Sequence, residues 1–250
     1  RPMLLGFMGT SYDIIGVNYS DLRKPDRRIE TVIARALGSA KTVLNVGAGA
    51  GSYEPTDRLV TAVEPSVEMI RQRGVSAAPA IQGFAEDLPF DEDSFDASMA
   101  ILTVHHWNDK EKGFKEMRRV TRGPVVVLTF DASLRGLWLA DYFPELVTLD
   151  DEIMPKMTDY EKWLGAVEIS TIPVPHDCTD GFLYAYWRRP SAYLDPRITA
   201  AMSSFQAIDN VSEGLEKLER DLDTDAWSQR YSELRILDEY DAGYRLVTTK

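Results

Sequence analysis

The sequence predicts a doubly wound α/β domain with a mostly parallel sheet. Its 250 residues are 44% hydrophobic, enough to bury one substantial core, and none of its segments looks like a long linker. Strand and helix patterns alternate through the first half, as they do in a parallel sheet with helical crossovers. Alternating glycines follow the first predicted strand directly. We therefore expect residues 1–250 to form a single domain.

The first half of the chain alternates between amphipathic segments and short apolar runs. Residues 26–38 predict a helix that Gly38 can terminate. The apolar face of this helix consists of Ile29, Val32, Ile33 and Leu37. Two further helices are predicted, one from the N-cap Ser66 through Arg73 and one over 109–121. The predicted strands are, in chain order, 42–47, 59–63, 78–83, 95–104 and 123–130.

The second half has a different organisation. Residues 133–165 are predicted to be helical, with a loop around Pro155. A sixth strand is predicted over 167–175 and a seventh over 244–249. Between these two strands lies a predicted helical insertion, about 180–236, with a helix start at Asp195 and Pro196. The apolar face of the insertion includes Leu215, Leu218 and Leu222. An insertion of this size either caps a site or simply packs on the sheet.

The charge and the cysteine content limit the partners and the cellular compartment that we expect for this protein. Forty acidic and 28 basic residues give a formal charge of -12, which repels phosphate backbones and anionic membrane surfaces. The charge therefore argues against nucleic acid as a partner. Cys178 is the single cysteine and cannot form an internal disulfide, so we expect a cytoplasmic protein. No stretch approaches the roughly 20 apolar residues of a membrane helix, and we expect no membrane partner.

The glycine turn is the first candidate binding element. Gly47, Gly49 and Gly51 follow a buried strand, where a bare backbone can approach a nucleotide or nucleoside. The same pattern also occurs as a tight turn without a ligand. Glu64, at the end of the second strand, is placed to accept hydrogen bonds from a ribose diol. Ser52 stands where a dinucleotide site has its third glycine, which disfavours an NAD(P)-dependent oxidoreductase.

Four segments together resemble a known family. They are "VLNVGAGAG" (43–51), "VTAVEPSVEMI" (60–70), "GFAEDLPFDEDSFDASMAILTVHHW" (83–107) and "EMRRVTRGPVVVLTF" (116–130). The chain resembles the class I S-adenosylmethionine-dependent methyltransferases, on the branch similar to the ubiquinone and menaquinone C-methyltransferases. The resemblance implies a Rossmann-like seven-stranded sheet whose last strand is antiparallel. It also implies that S-adenosylmethionine is the cofactor, lies across the ends of strands one, two and four, and leaves as S-adenosylhomocysteine.

The resemblance divides the domain into functional parts. Residues 1–38 would form an N-terminal lid and helix, 39–130 a donor-binding half and 131–250 a substrate half. The methionine part of the donor would lie against Gly47, Ala48 and Gly49, and Glu64 would hold the ribose. The residues implied near the adenine, the ribose and the methyl group are Pro65, Ser66, Met69, Ala85, Glu86 and Ile101.

The chain departs from the family pattern at two positions. The family usually has an acid where this chain has Asn45, so a negative partner for the donor's ammonium group is missing. Asn45 keeps open a second reading, a donor-binding module that has lost catalysis. Phe84 stands where the family often has Asp, which shifts the adenine contact onto Ala85 and Glu86.

Candidate catalytic groups follow the ends of strands and lie in the predicted lid. His105 and His106 follow strand four and His176 follows strand six, so we expect at least two imidazoles to face one cleft. His105 is the first choice for a general base, and because neighbours on a chain point apart we do not expect it to join His106 in a metal site.

In the lid, Tyr12 and Tyr19 can place aromatic faces or a hydroxyl near the sulfonium. Arg23 can pair with the donor's carboxylate.

Neither metal ions nor a defined acceptor can be read from the sequence. A calcium loop starting at Asp91 would need glycine at Asp96 and glutamate at Leu102, and the histidines show no zinc spacing. We expect no metal and a small-molecule acceptor, methylated on O, N or C. A tRNA-base methyltransferase is the alternative, against which the charge argues.

Aromatic residues that could line the acceptor site or belong to the core are Trp107, Trp138, Tyr142, Trp187 and Tyr193. Both a monomer and a homodimer are open.

Overall fold

A computed structural model describes residues 22–250, and these form a seven-stranded sheet with a separate two-stranded one. Tyr12 and Tyr19 lie outside the described residues. The strands are β1 Thr42–Val46, β2 Leu59–Glu64, β3 Ala80–Gln82, β4 Ala97–Ile101, β5 Val125–Phe130, β6 Val167–Thr171, β7 Val174–Pro175, β8 Glu239–Tyr240 and β9 Tyr244–Thr249. The predicted α/β class is confirmed.

The strand order of the large sheet is β3-β2-β1-β4-β5-β9-β6. Strands β1 to β5 pair in parallel, and β9 is antiparallel to both β5 and β6. The sheet is therefore mostly parallel with an antiparallel last strand, as predicted. From β1 the order runs outward through β2 and β3 on one side and through β4 and β5 on the other. Ligands of open α/β sheets bind at such a reversal point, outside the carboxyl ends of the strands.

Helices of the first half begin at polar caps. These helices are α1 Arg27–Ala36, α2 Val67–Arg71 and α3 Lys110–Val120. Asp26 accepts a hydrogen bond from the backbone N–H of Arg28, and Ser66 accepts one from that of Met69. Gly38 follows the C-cap Leu37 in a left-handed conformation with a φ of 59°, which suits the end of a helix.

The second half packs short helices around the end of the sheet. The helices are α4 Glu145–Ile153, α5 Met157–Leu164, α6 Pro196–Ala200, α7 Ser203–Ala207, α8 Val211–Asp223 and α9 Ala226–Arg230. Pro155 lies between α4 and α5, as predicted. The helical part of the insertion begins at the 3-10 segment Pro190–Leu194 rather than at 180, because residues 183–188 form turns.

The predicted strand over 167–175 is interrupted. Strand β6 ends at Thr171, and β7 resumes at Val174 but pairs with β8 instead of β9. Pro173 lies at the break, and because proline has no N–H to donate it cannot continue a ladder of backbone hydrogen bonds.

Two apolar clusters cover the opposite faces of the sheet. One includes Val43, Met99 and Leu128 together with the helices of the second half, and the other includes Leu44 and Val127 with α3 and α5. Adjacent strand residues thus enter different clusters, which is the expected alternation of a sheet covered on both faces. The aromatic residues that could line the acceptor site or belong to the core are all buried: Trp107, Trp138, Tyr142, Trp187 and Tyr193.

Residues of the insertion complete the first cluster. Leu218 is fully buried, and Leu215 and Leu222 pack against the same cluster while half-buried. This confirms the predicted apolar face of α8. Among the described residues, no helix combines the length and apolar composition that crossing a membrane requires.

Leu218→Ala should lower the free energy of unfolding by about 2–5 kcal/mol, because it leaves a cavity beneath α8. Ile236→Ala is the matched control, since Ile236 is 83% exposed, and it should change that free energy by less than about 0.5 kcal/mol. Urea denaturation followed by circular dichroism measures both. Equal effects of the two variants would contradict the role of Leu218 in the core.

Candidate functional site

A cavity of about 460 Å³ opens at the carboxyl ends of β1, β2 and β4. We call it the main cavity. Its walls come from the segments that follow these strands and β3. The lining residues are Arg23, Asn45, Gly47, Ala48, Gly49, Ala50, Ser52, Tyr53, Glu64, Pro65, Ser66, Val67, Met69, Gln82, Phe84, Ala85, Glu86, Ile101, Leu102, Thr103, His106, Trp107 and Asn108. All the described residues that the sequence assigned to donor binding are among them.

The glycine turn forms the floor of the main cavity. Gly47, Gly49 and Gly51 have φ values of 68°, 51° and 98°, in the region that favours glycine. A Cβ on Gly47 would lie 2.2 Å from Oγ1 of Thr103, so no side chain fits between the turn and the residues after β4. The backbone N–H groups of Gly47 and Ala48 donate to the Val63 carbonyl oxygen. The turn therefore packs tightly against the end of β2 and the residues after β4.

Glu64 is part of the main cavity wall. Its Oε2 accepts a hydrogen bond from the N–H of Gly49 at 2.7 Å, and its Oε1 accepts one from the N–H of Ser66 at 2.9 Å. The side chain is 6% exposed, and this burial raises its pKa despite the two hydrogen bonds. Each oxygen has further lone pairs, so the carboxylate can still accept hydrogen bonds from a ligand hydroxyl.

Asn45 is part of a buried polar network behind the glycine turn. Its amide donates to Oε1 of Glu54 at 3.0 Å, and Arg73 forms an ion pair with the same oxygen at 2.5 Å. Arg73 also donates to the carbonyl oxygen of Gly49 at 2.9 Å. The side chains of Arg73 and Glu54 are 5% and 7% exposed. Neither residue is predictable from the sequence, because nothing in their spacing distinguishes them from surface charges.

The other end of the main cavity lies beyond β3. Phe84 is 56% exposed and lines the cavity edge, where its ring is available to a flat ligand. Oε1 of Glu86 accepts hydrogen bonds from the N–H groups of Asn108 and Asp109, at 2.8 and 3.0 Å. Glu86 therefore ties the segment after β3 to the segment after β4.

A second cavity, of about 90 Å³, adjoins the main cavity, and we call it the minor cavity. The two share Arg23, Leu102 and His106 as lining residues. Leu102 has a φ of 51°, uncommon for a residue with a side chain and often found at functional sites. The minor cavity is lined further by His105, Phe130, Asp150, Ile153, Met154, Gly181, Phe182, Leu183, Tyr184, Ala201, Met202, Ser203, Ser204 and Tyr244.

Two of the three histidines face these cavities. His105 lines the minor cavity and His106 lines both, with ring centroids 3.8 Å apart. The expectation that these neighbours point apart is wrong, because a 3-10 turn over Val104–His106 brings their rings together. Desolvation lowers the pKa of His105 to about 4, with Lys110 and Arg23 contributing, and lowers that of His106 as well. Both rings are therefore neutral at neutral pH.

His176 lies elsewhere. It follows β7, where its N–H donates to the carbonyl oxygen of Asp238 at 2.8 Å, and it lines neither cavity. The two imidazoles expected in one cleft are thus those of His105 and His106. The geometry gives the predicted catalytic role of His176 no support.

Arg23 joins the N-terminal part of the described chain to the insertion. Its Nε lies 2.6 Å from Oδ1 of Asp180, which is fully buried. The hydroxyl of Tyr53 donates to Oδ2 of the same carboxylate at 2.9 Å. Arg23 also lines both cavities, so the ion pair fixes a guanidinium group at their junction. Its predicted contact with the donor's carboxylate stays a prediction.

Some lining residues had no signal in the sequence. Thr103 and Asn108 follow β4 in a segment where only the histidines suggest a function, and Asp150 lies in a helix whose pattern predicts only packing. Within residues 22–250, no group of three or more histidine, cysteine or acidic side chains is arranged to hold a metal ion.

Comparison with known proteins identifies the family. A family model described as a methyltransferase domain matches residues 44–127. A solved structure from Anabaena variabilis, a candidate methyltransferase of an antibiotic biosynthesis pathway, is 36% identical to the chain. The alignment covers 92% of this chain and 99% of that one, with a TM-score of 0.86. The chain belongs to the class I S-adenosylmethionine-dependent methyltransferases.

Curated relatives of this methyltransferase match over shorter regions. The 2-methyl-6-phytyl-1,4-hydroquinone methyltransferase 2 of Oryza sativa subsp. japonica is 27% identical over 170 residues, 61% of this chain and 47% of that protein. YcgJ of Bacillus subtilis, an uncharacterized methyltransferase, is 34% identical over 120 residues, 44% of each chain. The methyltransferase spans about half the length of the curated relatives it matches.

Gly47→Ala should abolish detectable donor binding or lower the melting temperature by several degrees, because the new Cβ overlaps Thr103. Gly38→Ala is the control. Gly38 has a similar φ of 59° but no atom within 4 Å of the added Cβ, so Gly38→Ala introduces backbone strain without a steric clash. Thermal unfolding and calorimetric titration with S-adenosylhomocysteine measure the two variants. If both variants behave alike, the contact with Thr103 does not define the turn.

Proposed function

We propose that this methyltransferase binds S-adenosylmethionine in the main cavity and transfers its methyl group to a small molecule that enters the minor cavity. One observation carries the proposal. The described residues that the sequence assigns to donor binding all line one cavity, and a second cavity adjoins it. The acceptor atom is O, N or C. The rice relative supports the branch similar to the quinone C-methyltransferases, since its name specifies a hydroquinone.

The donor has a complementary surface in the main cavity. Gly47, Ala48 and Gly49 would border the methionine part, where their backbone leaves room for close approach. Glu64 would accept hydrogen bonds from the ribose hydroxyls, because its two oxygens are already oriented by Gly49 and Ser66. Further assignments follow the cavity wall, with Pro65, Ser66 and Met69 near the ribose, Ala85 and Glu86 near the adenine, and Ile101 beside the donor.

The reaction is an in-line displacement at the methyl carbon. Bond formation to the acceptor and bond breaking to sulfur need donor and acceptor at near-attack distance, which the two adjoining cavities can impose. Arg23, Leu102 and His106 line both cavities, so the methyl group would be transferred beside these side chains. His105 is a candidate base for an acceptor that must lose a proton, although its pKa of about 4 makes it a weak one.

Glu64→Gln should weaken donor affinity by about 1.5–3 kcal/mol, because it replaces a charged acceptor of the ribose hydrogen bonds with a neutral one. Glu68→Gln on α2 is the control, since Glu68 lies outside the main cavity. Isothermal titration with S-adenosylmethionine, S-adenosylhomocysteine and NADH measures both variants. An unchanged affinity of Glu64→Gln would mean that the ribose binds elsewhere, and preferential NADH binding would contradict the proposed occupant of the main cavity.

His105→Ala should lower the rate of S-adenosylhomocysteine release in the presence of an acceptor, with little change in donor affinity. His176→Ala should leave the rate near that of the wild type, because His176 lines neither cavity. A panel of small phenols, amines and quinols supplies the acceptor. A normal rate of His105→Ala would remove His105 from the mechanism. Donor binding without turnover of any acceptor would favour the donor-binding module.

A further inference from the structure

A buried carboxylate forms part of the minor cavity wall. Asp150 lies on α4 and is 7% exposed, whereas the next two residues, Asp151 and Glu152, are exposed. The Tyr184 hydroxyl donates to Oδ2 of Asp150 at 3.5 Å. Because a hydrogen bond of this length is weak, the carboxylate keeps the capacity to accept a stronger one from a molecule in the cavity.

The walls around this carboxylate are largely aromatic. Phe130 stacks on Tyr184 with ring centroids 5.2 Å apart and an interplanar angle of 17°. The ring centroids of Phe182 and Tyr244 are 4.4 Å apart. All four rings line the minor cavity, whose volume is about 90 Å³. Such a site suits a compact aromatic molecule, because offset and edge-on ring contacts stabilise a flat ligand beyond its burial alone.

Among the titratable groups that line the minor cavity, Asp150 is a better base than the histidines. Tyr184, Tyr244, His105, His106 and Arg23 also line the cavity, and Asp151, paired with Arg135 at 2.8 Å, lies on the outer side. Burial raises the pKa of Asp150 to about 7, whereas that of His105 is about 4. At a pH slightly above 7, Asp150 is therefore an ionised and comparatively strong proton acceptor.

We propose that the minor cavity binds a compact phenol and that Asp150 accepts the proton of its hydroxyl as the methyl group is transferred to the oxygen. This inference rests on the proposed function and names its acceptor class. The aromatic walls would hold the ring, and Leu102 and His106, which line both cavities, border the phenol site on the side of the main cavity.

The step balances in atoms and charge. A lone pair of the phenol oxygen forms the new bond to the methyl carbon, and the sulfur–carbon bond breaks with its electron pair remaining on sulfur. The hydroxyl proton moves to the Asp150 carboxylate. The cationic sulfonium and the carboxylate thus become a neutral thioether and a neutral carboxyl group, and the product is a methyl aryl ether.

The test compares Asp150→Asn with Glu152→Gln, an exposed carboxylate two residues further along α4. With S-adenosylhomocysteine bound, phenol, catechol and toluene are titrated into the wild type and both variants. With S-adenosylmethionine, the rate of methyl ether formation from phenol and catechol is measured by mass spectrometry at about pH 6 and about pH 8, on either side of the Asp150 pKa of about 7.

We expect the wild type and Glu152→Gln to bind the phenols at least about tenfold more tightly than toluene at the higher pH. Their rate should rise about tenfold from the lower pH to the higher, as Asp150 ionises. Asp150→Asn should lose this rise and at least about 100-fold of the rate, while it keeps its affinity for S-adenosylhomocysteine.

Three results would overturn the inference: phenols that do not bind saturably, phenols that bind no better than toluene, or an Asp150→Asn variant whose rate matches that of Glu152→Gln. Failure of the wild type to bind S-adenosylhomocysteine would instead overturn the proposed function, and a titration with S-adenosylhomocysteine alone, made before the phenols are added, separates these cases.

Discussion

The site depends on the close approach of Gly47 to Thr103. This contact lets the segment after β1 meet the segment after β4 at the point where the strand order reverses, and no Cβ can stand between them. The turn then presents the N–H of Gly49 to Glu64, which in turn orients the N–H of Ser66 at the start of α2. One missing side chain therefore positions groups from three consecutive parts of the sheet.

Polar interactions on the two sides of the site differ in character. Behind the glycine turn, Glu54 and Arg73 form a nearly inaccessible ion pair, whose value is in fixing geometry because desolvation offsets much of its attraction. At the minor cavity, Asp150 has a weak tyrosine hydrogen bond and a raised pKa. The first arrangement holds a charge in place, whereas the second leaves a carboxylate ready to change its protonation state.

Much of this architecture could be predicted from the sequence because it depends on local signals. Strand and helix periodicity, the Ser66 cap and the glycine turn are properties of short segments, and the residues proposed to bind the donor follow strand ends that a parallel sheet brings together. The minor cavity was not predictable in this way. Asp150, Tyr184 and His105 come from distant segments, and only tertiary packing of the insertion places them in one wall. The break at Pro173 was not predicted because Thr171, Ile172 and Val174 around it favour a strand.

Asn45 has a consequence for turnover under the proposed function. The donor carries a positive sulfonium and the product a neutral thioether, so a site discriminates between them chiefly through nearby negative charge. Here the residue that would face the donor's ammonium group is an amide, and the carboxylate of Glu54 behind it is neutralised by Arg73, so neither adds negative charge at the methionine end of the donor, where the sulfonium lies. Ribose, adenine and amino acid groups are common to donor and product. The spent product would therefore compete closely with fresh donor, and the pace of the enzyme would depend on how quickly the cell removes S-adenosylhomocysteine.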